Sequence, residues 1–181
     1  VTQNSVINTG SNGTGIYADG STVSLNTGST LNVGDTNGVG VYAVNGSNVV
    51  NDGITTIGNG SYGYALKSGS NLTNNKAVTL GDNAVLVYGD SAGTITNNGA
   101  IDGTAGISNI GIVNVGGSII NTASIKVGDS AVVRDSQGNP IVNSSSYAVG
   151  IYGDGANVSN SGNIIIGKDS VGLYEKNAPT V

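Results

Sequence analysis

Gly34-Asp35-Thr36-Asn37-Gly38-Val39-Gly40-Val41-Tyr42-Ala43-Val44-Asn45-Gly46-Ser47-Asn48-Val49-Val50-Asn51 holds the grammar of the whole chain. A Gly-Asp turn leads into a short apolar strand ending in Val-Tyr-Ala. A Gly-Ser turn follows, and a second strand closes on Asn. The same order returns at Gly81-Asp82 with Val85-Leu86-Val87-Tyr88 and Gly93-Thr94-Ile95-Thr96-Asn97, and again at Gly150-Ile151-Tyr152 with Gly155-Ala156-Asn157-Val158-Ser159-Asn160. Each copy is a unit too small to bury its own apolar face, so the copies have to stack.

The closing Asn falls at Asn26, Asn51, Asn74, Asn97, Asn121 and Asn160, a period of about 23 residues with one long step. A third strand-like segment precedes each Gly-Asp turn, as in Leu31-Asn32-Val33, Ile54-Thr55-Thr56-Ile57 and Ala77-Val78-Thr79-Leu80. The copy between Gly81 and Gly128 reads as degenerate near Gly103, and in the first copy Asn8 matches either Asn26 or Asn32. Strands of three to five residues are marginal alone. If each copy makes one coil, like strands stack into parallel sheets about 4.8 Å apart. Strand alternation then places Val39, Val41 and Ala43 inward with Ile16, Ile151 and Leu173, and Gly40 and Tyr42 outward. The expected fold is all-β: a right-handed parallel β-helix of about seven coils, three short strands per coil, forming a single unit over residues 1–181. A left-handed hexapeptide coil would repeat near ~18 residues, which is too short.

Composition agrees. The 181 residues include 31 Gly but no Phe, Trp, His, Met or Cys, and 9% are charged. Val, Ile, Thr and Tyr amid Gly, Asn, Asp and Ser suit strands and tight turns. A net charge of −5 with scattered basic residues does not suit phosphate neutralisation, so no nucleic-acid partner is expected. The lack of Cys rules out disulfides and thiolate metal sites, and fits a chain that crosses an oxidising compartment unfolded. No signal peptide is expected within these residues, and none of their apolar stretches reaches bilayer-spanning length. Val1 opens in mid-repeat without Met, so the chain is expected to be a fragment of a longer protein.

One unit breaks the spacing. Gly128 and Gly150 stand far apart, and the excess at residues 131–146 includes Val132-Val133-Arg134-Asp135-Ser136-Gln137-Gly138-Asn139-Pro140-Ile141-Val142. Two apolar pairs flank a polar, Gly-containing centre, which predicts a β-hairpin projecting from the coil. Insertions in solenoids map to loops and often carry recognition. Arg134, Asp135, Gln137 and Asn139 are therefore binding candidates. So is the outward row Tyr17, Tyr42, Tyr152 and Tyr174, since Tyr offers a flat amphipathic face; cross-strand packing is the stronger reading of the row, and Ala65 interrupts it. The Asn column reads as an internal amide ladder. The Asp column (Asp35, Asp82, Asp129, Asp169) is ordinary turn chemistry, with calcium as the weaker reading; no metal or cofactor is expected.

Catalysis is disfavoured. Without His or Cys, the common nucleophile–base pairs cannot be assembled, apart from rarer Ser-Lys schemes. The Gly-His-Gly and Arg-Ile-Lys motifs of β-helical polygalacturonases are absent.

The units Gly15-Ile16-Tyr17-Ala18-Asp19-Gly20, residues 38–43 and Gly150-Ile151-Tyr152, followed by Gly-Ser-x-Val and Asn-x-Gly-x-Ile, resemble passenger repeats of bacterial type V autotransporters, and in particular the large fusobacterial autotransporter adhesins. The resemblance covers the chain outside the insertion and is one of repeat style. It implies a signal peptide, a long β-helical passenger and an outer-membrane barrel, with surface display and adhesion to bacterial or host cells through a surface protein or glycan. The chain is then expected to be a monomeric, non-enzymatic adhesin segment. The alternatives are an inert stalk of roughly 35 Å for seven coils, or a polysaccharide-acting enzyme.

Overall fold

The structure, a computed structural model, describes residues 1–179. The expected unit runs to residue 181, so its last two residues, Thr180 and Val181, lie outside the described residues. The chain is a right-handed parallel β-helix of seven coils whose strands stack as three seven-stranded sheets. The first sheet runs from Thr2–Gln3 to Asn157–Asn160, the second from Val6–Thr9 to Ile164–Ile165, and the third from Thr14–Asp19 to Val171–Lys176. Every strand pairs in parallel with its counterpart one coil away.

The core is a set of columns. Val23, Val49, Leu72, Ile95 and Ile119 share one register in the first sheet, and all are buried. In the second sheet Leu31, Thr55, Val78, Ile101 and Ile125 stack likewise. Thr55 is tolerated in that apolar column because Tyr64, fully buried in the third sheet, meets it. The two hydroxyls are hydrogen-bonded at 3.1 Å, so neither polar group is left bare. Burial pushes the Tyr64 phenol up.

Strict alternation fails in the third sheet. In Val39–Val44 the successive residues Gly40 and Val41 are both buried, whereas Val39 is only half-buried. Val39 therefore belongs to the outer face, and Gly40 points in. A Cβ on Gly40 would lie 2.6 Å from the Gly63 carbonyl oxygen and 2.8 Å from Leu31 Cδ2. Glycine lets the strand bend there against the next coil. Leu173 also departs from expectation. It shares the Ile151 register but is 43% exposed, because its strand is the edge of its sheet.

The amide ladder runs from Asn51 to Asn160. Each Nδ2 donates to the Oδ1 one coil on, at 2.7 Å (Asn51 to Asn74), 2.8 Å (Asn74 to Asn97), 2.7 Å (Asn97 to Asn121) and 2.7 Å (Asn121 to Asn160). Asn26 is not a rung. Its neighbour Leu25 occupies that register opposite Asn51, while Asn26 donates to Asn4 Oδ1 at 2.7 Å on the exposed side. Coil length explains the slip: the turn that Asn26 opens runs six residues from Leu25 to Leu31, against four from Asn51 to Thr55 in the next coil, so Asn26 falls just past the strand. Asn8 pairs with Asn32, which donates to it at 2.9 Å. The unit read as degenerate near Gly103 is intact but displaced: Gly106 is the glycine that abuts Gly81, and Gly103 ends a strand.

Asn97→Ala removes the acceptor of Asn74 and the donor to Asn121 in a fully buried row. It should lower stability by about 2–4 kcal/mol in urea unfolding. Asn98→Ala, in the exposed row alongside, should cost under about 1 kcal/mol.

Candidate binding face and insertion

The outer face of the third sheet carries a tyrosine column. In register it reads Tyr17, Tyr42, Ala65, Tyr88, Val113, Tyr152 and Tyr174. Tyr17 stacks on Tyr42 with ring centroids 5.8 Å apart, and Tyr152 stacks on Tyr174 at 5.3 Å. Tyr88 belongs to the same row. The Val87-Tyr88 pair repeats the Val41-Tyr42 signal, so its place was readable from the motif but not assigned. At the Ala65 gap, Tyr62 from the neighbouring column leans edge-on to Tyr88, with centroids 6.2 Å apart. A shallow depression of about 200 Å³ forms there, lined by Val39, Tyr42, Tyr62, Ala65, Lys67 and Tyr88.

The insertion is less regular than the expected hairpin. Two isolated antiparallel bridges, Ala131 with Ser146 and Arg134 with Pro140, close it, and a single 3₁₀ turn at Val142–Ser144 occupies its return limb. Pro140 is accepted in the second bridge because the hydrogen bonds there run through its neighbours, from the Asp135 amide to the Asn139 carbonyl at 2.9 Å and from the Ile141 amide to the Val133 carbonyl at 2.7 Å, and call on no amide hydrogen from proline. The Arg134 guanidinium reaches back to the coil, donating to Asp169 Oδ1 at 2.7 Å and to the Gly138 carbonyl at 3.0 Å. Asp135 Oδ1 accepts the amides of Gln137 at 2.9 Å and Asn139 at 2.8 Å, and its Oδ2 accepts Asn139 Nδ2 at 3.3 Å. These contacts, the Asn139 amide foremost, hold the Asp135 carboxyl below the usual carboxylate range. Arg134, Asp135 and Asn139 thus shape the loop and pin it to the coil, while Gln137 is exposed.

The insertion's return limb meets the tyrosine column. Val142 and Tyr147 line, with Val149, Tyr152, Val171 and Tyr174, a cleft of about 400 Å³ whose exposed walls are apolar. Four of the eight binding candidates, the two tyrosines here and the two at Tyr17 and Tyr42, share one face of one sheet. Val142 and Tyr147 were not among the binding candidates, because neither sits in a repeated motif or at a periodic spacing in the sequence.

The Asp column uses its carboxylates locally. Asp35 Oδ1 accepts the Asn59 amide at 2.7 Å, Asp82 Oδ1 the Ile107 amide at 2.9 Å, and Asp129 Oδ1 the Lys168 amide at 2.7 Å. Asn59 Oδ1 plays the same part toward Asp82 at 2.8 Å. The row is a turn ladder in which any short side-chain acceptor serves. Asp169 is not part of it: Lys168 holds that position, and Asp169, left-handed at φ 57°, faces Arg134. Among the described residues, no three Asp or Glu side chains gather as a metal-binding group. Nor, among them, is any helix long and apolar enough to cross a membrane.

No family model matches the chain, and neither the curated proteins nor the solved structures gave a match.

The Asp135 contacts predict a pH response confined to the insertion. Its carboxyl is depressed on folding, so the stabilisation is present above the unfolded value near ~3.9 and lost as pH falls through the lower folded value. NMR titration should show the Gln137 and Asn139 amides moving together, with a midpoint below that of an ordinary Asp.

Proposed function

We propose that this chain is a segment of a surface-displayed adhesin passenger, in which the β-helix is a rigid scaffold and the insertion with the tyrosine face binds a protein or glycan on another cell. The observation that carries this reading is the apolar cleft between Val142 of the insertion, with Tyr147 just beyond it, and the stacked pair Tyr152 and Tyr174. Exposed, clustered aromatic and aliphatic side chains of this kind favour a partner over bare solvent. One wall of the cleft, Val149, Tyr152, Val171 and Tyr174, is built on strands, which hold such side chains more rigidly than loops do. Binding without catalysis accords with a chain lacking His and Cys. Display outside the cell, tethered to an outer membrane through a barrel, follows from the likeness to autotransporter repeats.

A stalk is the second reading. Arg134, Asp135 and Asn139 spend their polar groups inside the fold, as they would in a loop that serves only to fill the surface.

Binding of the purified chain to intact bacterial and host cells separates the two, beside a variant in which residues 131–146 are replaced by a short Gly-Asn turn and a Tyr152→Ser/Tyr174→Ser variant. Circular dichroism checks that all three are folded. The expected result is binding by the native chain that falls at least tenfold in both variants. Well-folded proteins that all fail to bind would make the segment a stalk, and sugar turnover by the native chain would make it an enzyme.

A further inference from the structure

The tyrosine column of the third sheet has one empty place in its interior. Tyr42 and Tyr88 each carry an aromatic ring in that register, and between them stands only the methyl of Ala65. The two tyrosines lie two coils apart, about 10 Å at the spacing of paired strands. Where tyrosines occupy adjacent coils, their rings stack within 10° and 14° of parallel, with centroids 5.8 Å and 5.3 Å apart. The Ala65 gap is therefore one ring thick, with an aromatic wall on either side. Val39 and Tyr62 from the neighbouring column and Lys67 beyond Ala65 close its flanks, and about 200 Å³ remains open. That is below the ~300–1,000 Å³ of pockets for larger ligands and suits a single ring. These residues belong to interior coils, paired on both sides.

The lining sets what that ring must be. Aromatic faces carry partial negative charge and attract the partly positive C–H bonds of a saturated ring. At the rim, Lys67 Nζ and Asp90 Oδ2 stand 3.4 Å apart with their side chains 42% and 46% exposed, so ammonium and carboxylate keep hydrogen-bonding capacity to spare. Hydroxyl groups, which both donate and accept, satisfy the two together. An anionic ligand would face Asp90 and a net charge of −5, and a cationic one would face Lys67. A purely apolar ring would take water from the pair without replacing it. With tyrosine on each side, both faces of the ligand have to be C–H surfaces, and its hydroxyls have to radiate in the ring plane. Among six-membered sugar rings, that is the arrangement with every hydroxyl equatorial.

We propose that the Ala65 gap is a binding site for one neutral pyranose ring of gluco configuration, held between Tyr42 and Tyr88 and hydrogen-bonded at its edge by Lys67 and Asp90. The tyrosines supply the stacking surfaces, and Ala65 supplies the space. The site belongs to the tyrosine face read above as adhesive and rests on that reading for its purpose. It narrows the ligand there from a protein or glycan to a glucose-configured glycan. It is separate from the cleft at Val142, since Tyr88 and Val113 stand between Ala65 and Tyr152 in the column.

Saturation-transfer NMR of the purified chain with methyl β-glucoside tests this without any cell, so its outcome is separate from that of the adhesion assay. Saturating the tyrosine ring protons should pass signal to the sugar C–H protons. The Ala65 methyl resonance should shift during the titration, with a Kd of about 1 mM, as befits one small ring. Ala65→Tyr fills the gap with the residue that the adjacent coils carry there and should abolish the transfer. Tyr88→Ala removes one wall and should weaken binding about fivefold or more; circular dichroism confirms that both variants are folded. Three further probes should each bind about fivefold or more weakly at the Ala65 methyl. Methyl β-galactoside puts an axial hydroxyl on one face, methyl β-glucuronide adds a carboxylate, and N-acetyltyrosine amide stands in for a partner's aromatic side chain. No transfer to methyl β-glucoside, binding that survives both substitutions, or equal or tighter binding of any of the three other probes would each overturn the assignment. Cell adhesion without glucoside binding would remove this site and leave the adhesive reading standing.

Discussion

Coil-to-coil pairing is the constraint on which everything else in this molecule rests. Its strands are two to six residues long, too short to persist alone, and each is ordered because a like strand lies one coil away. The polar groups obey the same rule. The interior amides of Asn51, Asn74 and Asn97 hand their hydrogens to the next coil, and turn carboxylates such as Asp35 accept an amide from it. A polar side chain buried without such a partner would cost a few kcal/mol. With a partner above and below, the same amide fixes which residue stacks on which.

That constraint also explains where variety is allowed. Inside, each column accepts a change only when a neighbour compensates, as Thr55 does by meeting the buried Tyr64 hydroxyl. Outside, the tyrosine column tolerates Ala65 and Val113, because solvent or a leaning Tyr62 fills the gap. The insertion at residues 131–146 is admitted between strands that remain in register, Ile110 with Val149. Its Arg134 ties it back to Asp169 through an exposed ion pair, the kind worth under about 1 kcal/mol. It is an addition to the scaffold, and it leaves the stack beneath it unchanged.

Much of this was legible from residue order. The period, the three strands per coil, the Asn ladder from Asn51 onward and the outward tyrosines all follow from motifs that recur at fixed spacing. The failures have local physical origins. A repeat read as text assumes turns of equal length, and the turn between Leu25 and Leu31 is longer than its counterpart after Asn51; Asn26 was therefore matched to a register that Leu25 holds. The copy read as degenerate near Gly103 has its turn glycine at Gly106, and Asp169 was read into the Asp column on residue type alone, one position past Lys168, which holds that register. Strand alternation likewise mispredicted Val39 and Gly40, because it assumes a straight strand and this one bends at glycine.

The sequence by itself determined the architecture, since periodic apolar residues separated by turn-forming Gly, Asn and Asp leave stacking as the way to bury them. Only the tertiary structure decided which residues became neighbours across coils and where the insertion came to lie. Val142 and Tyr147 line a cleft with Tyr152 and Tyr174, yet their spacing in the chain carries no periodic signal. An irregular loop follows no repeat; its position is set by local contacts such as the Asp135 turn and the Arg134–Asp169 pair, which form only once the coils beneath are in place.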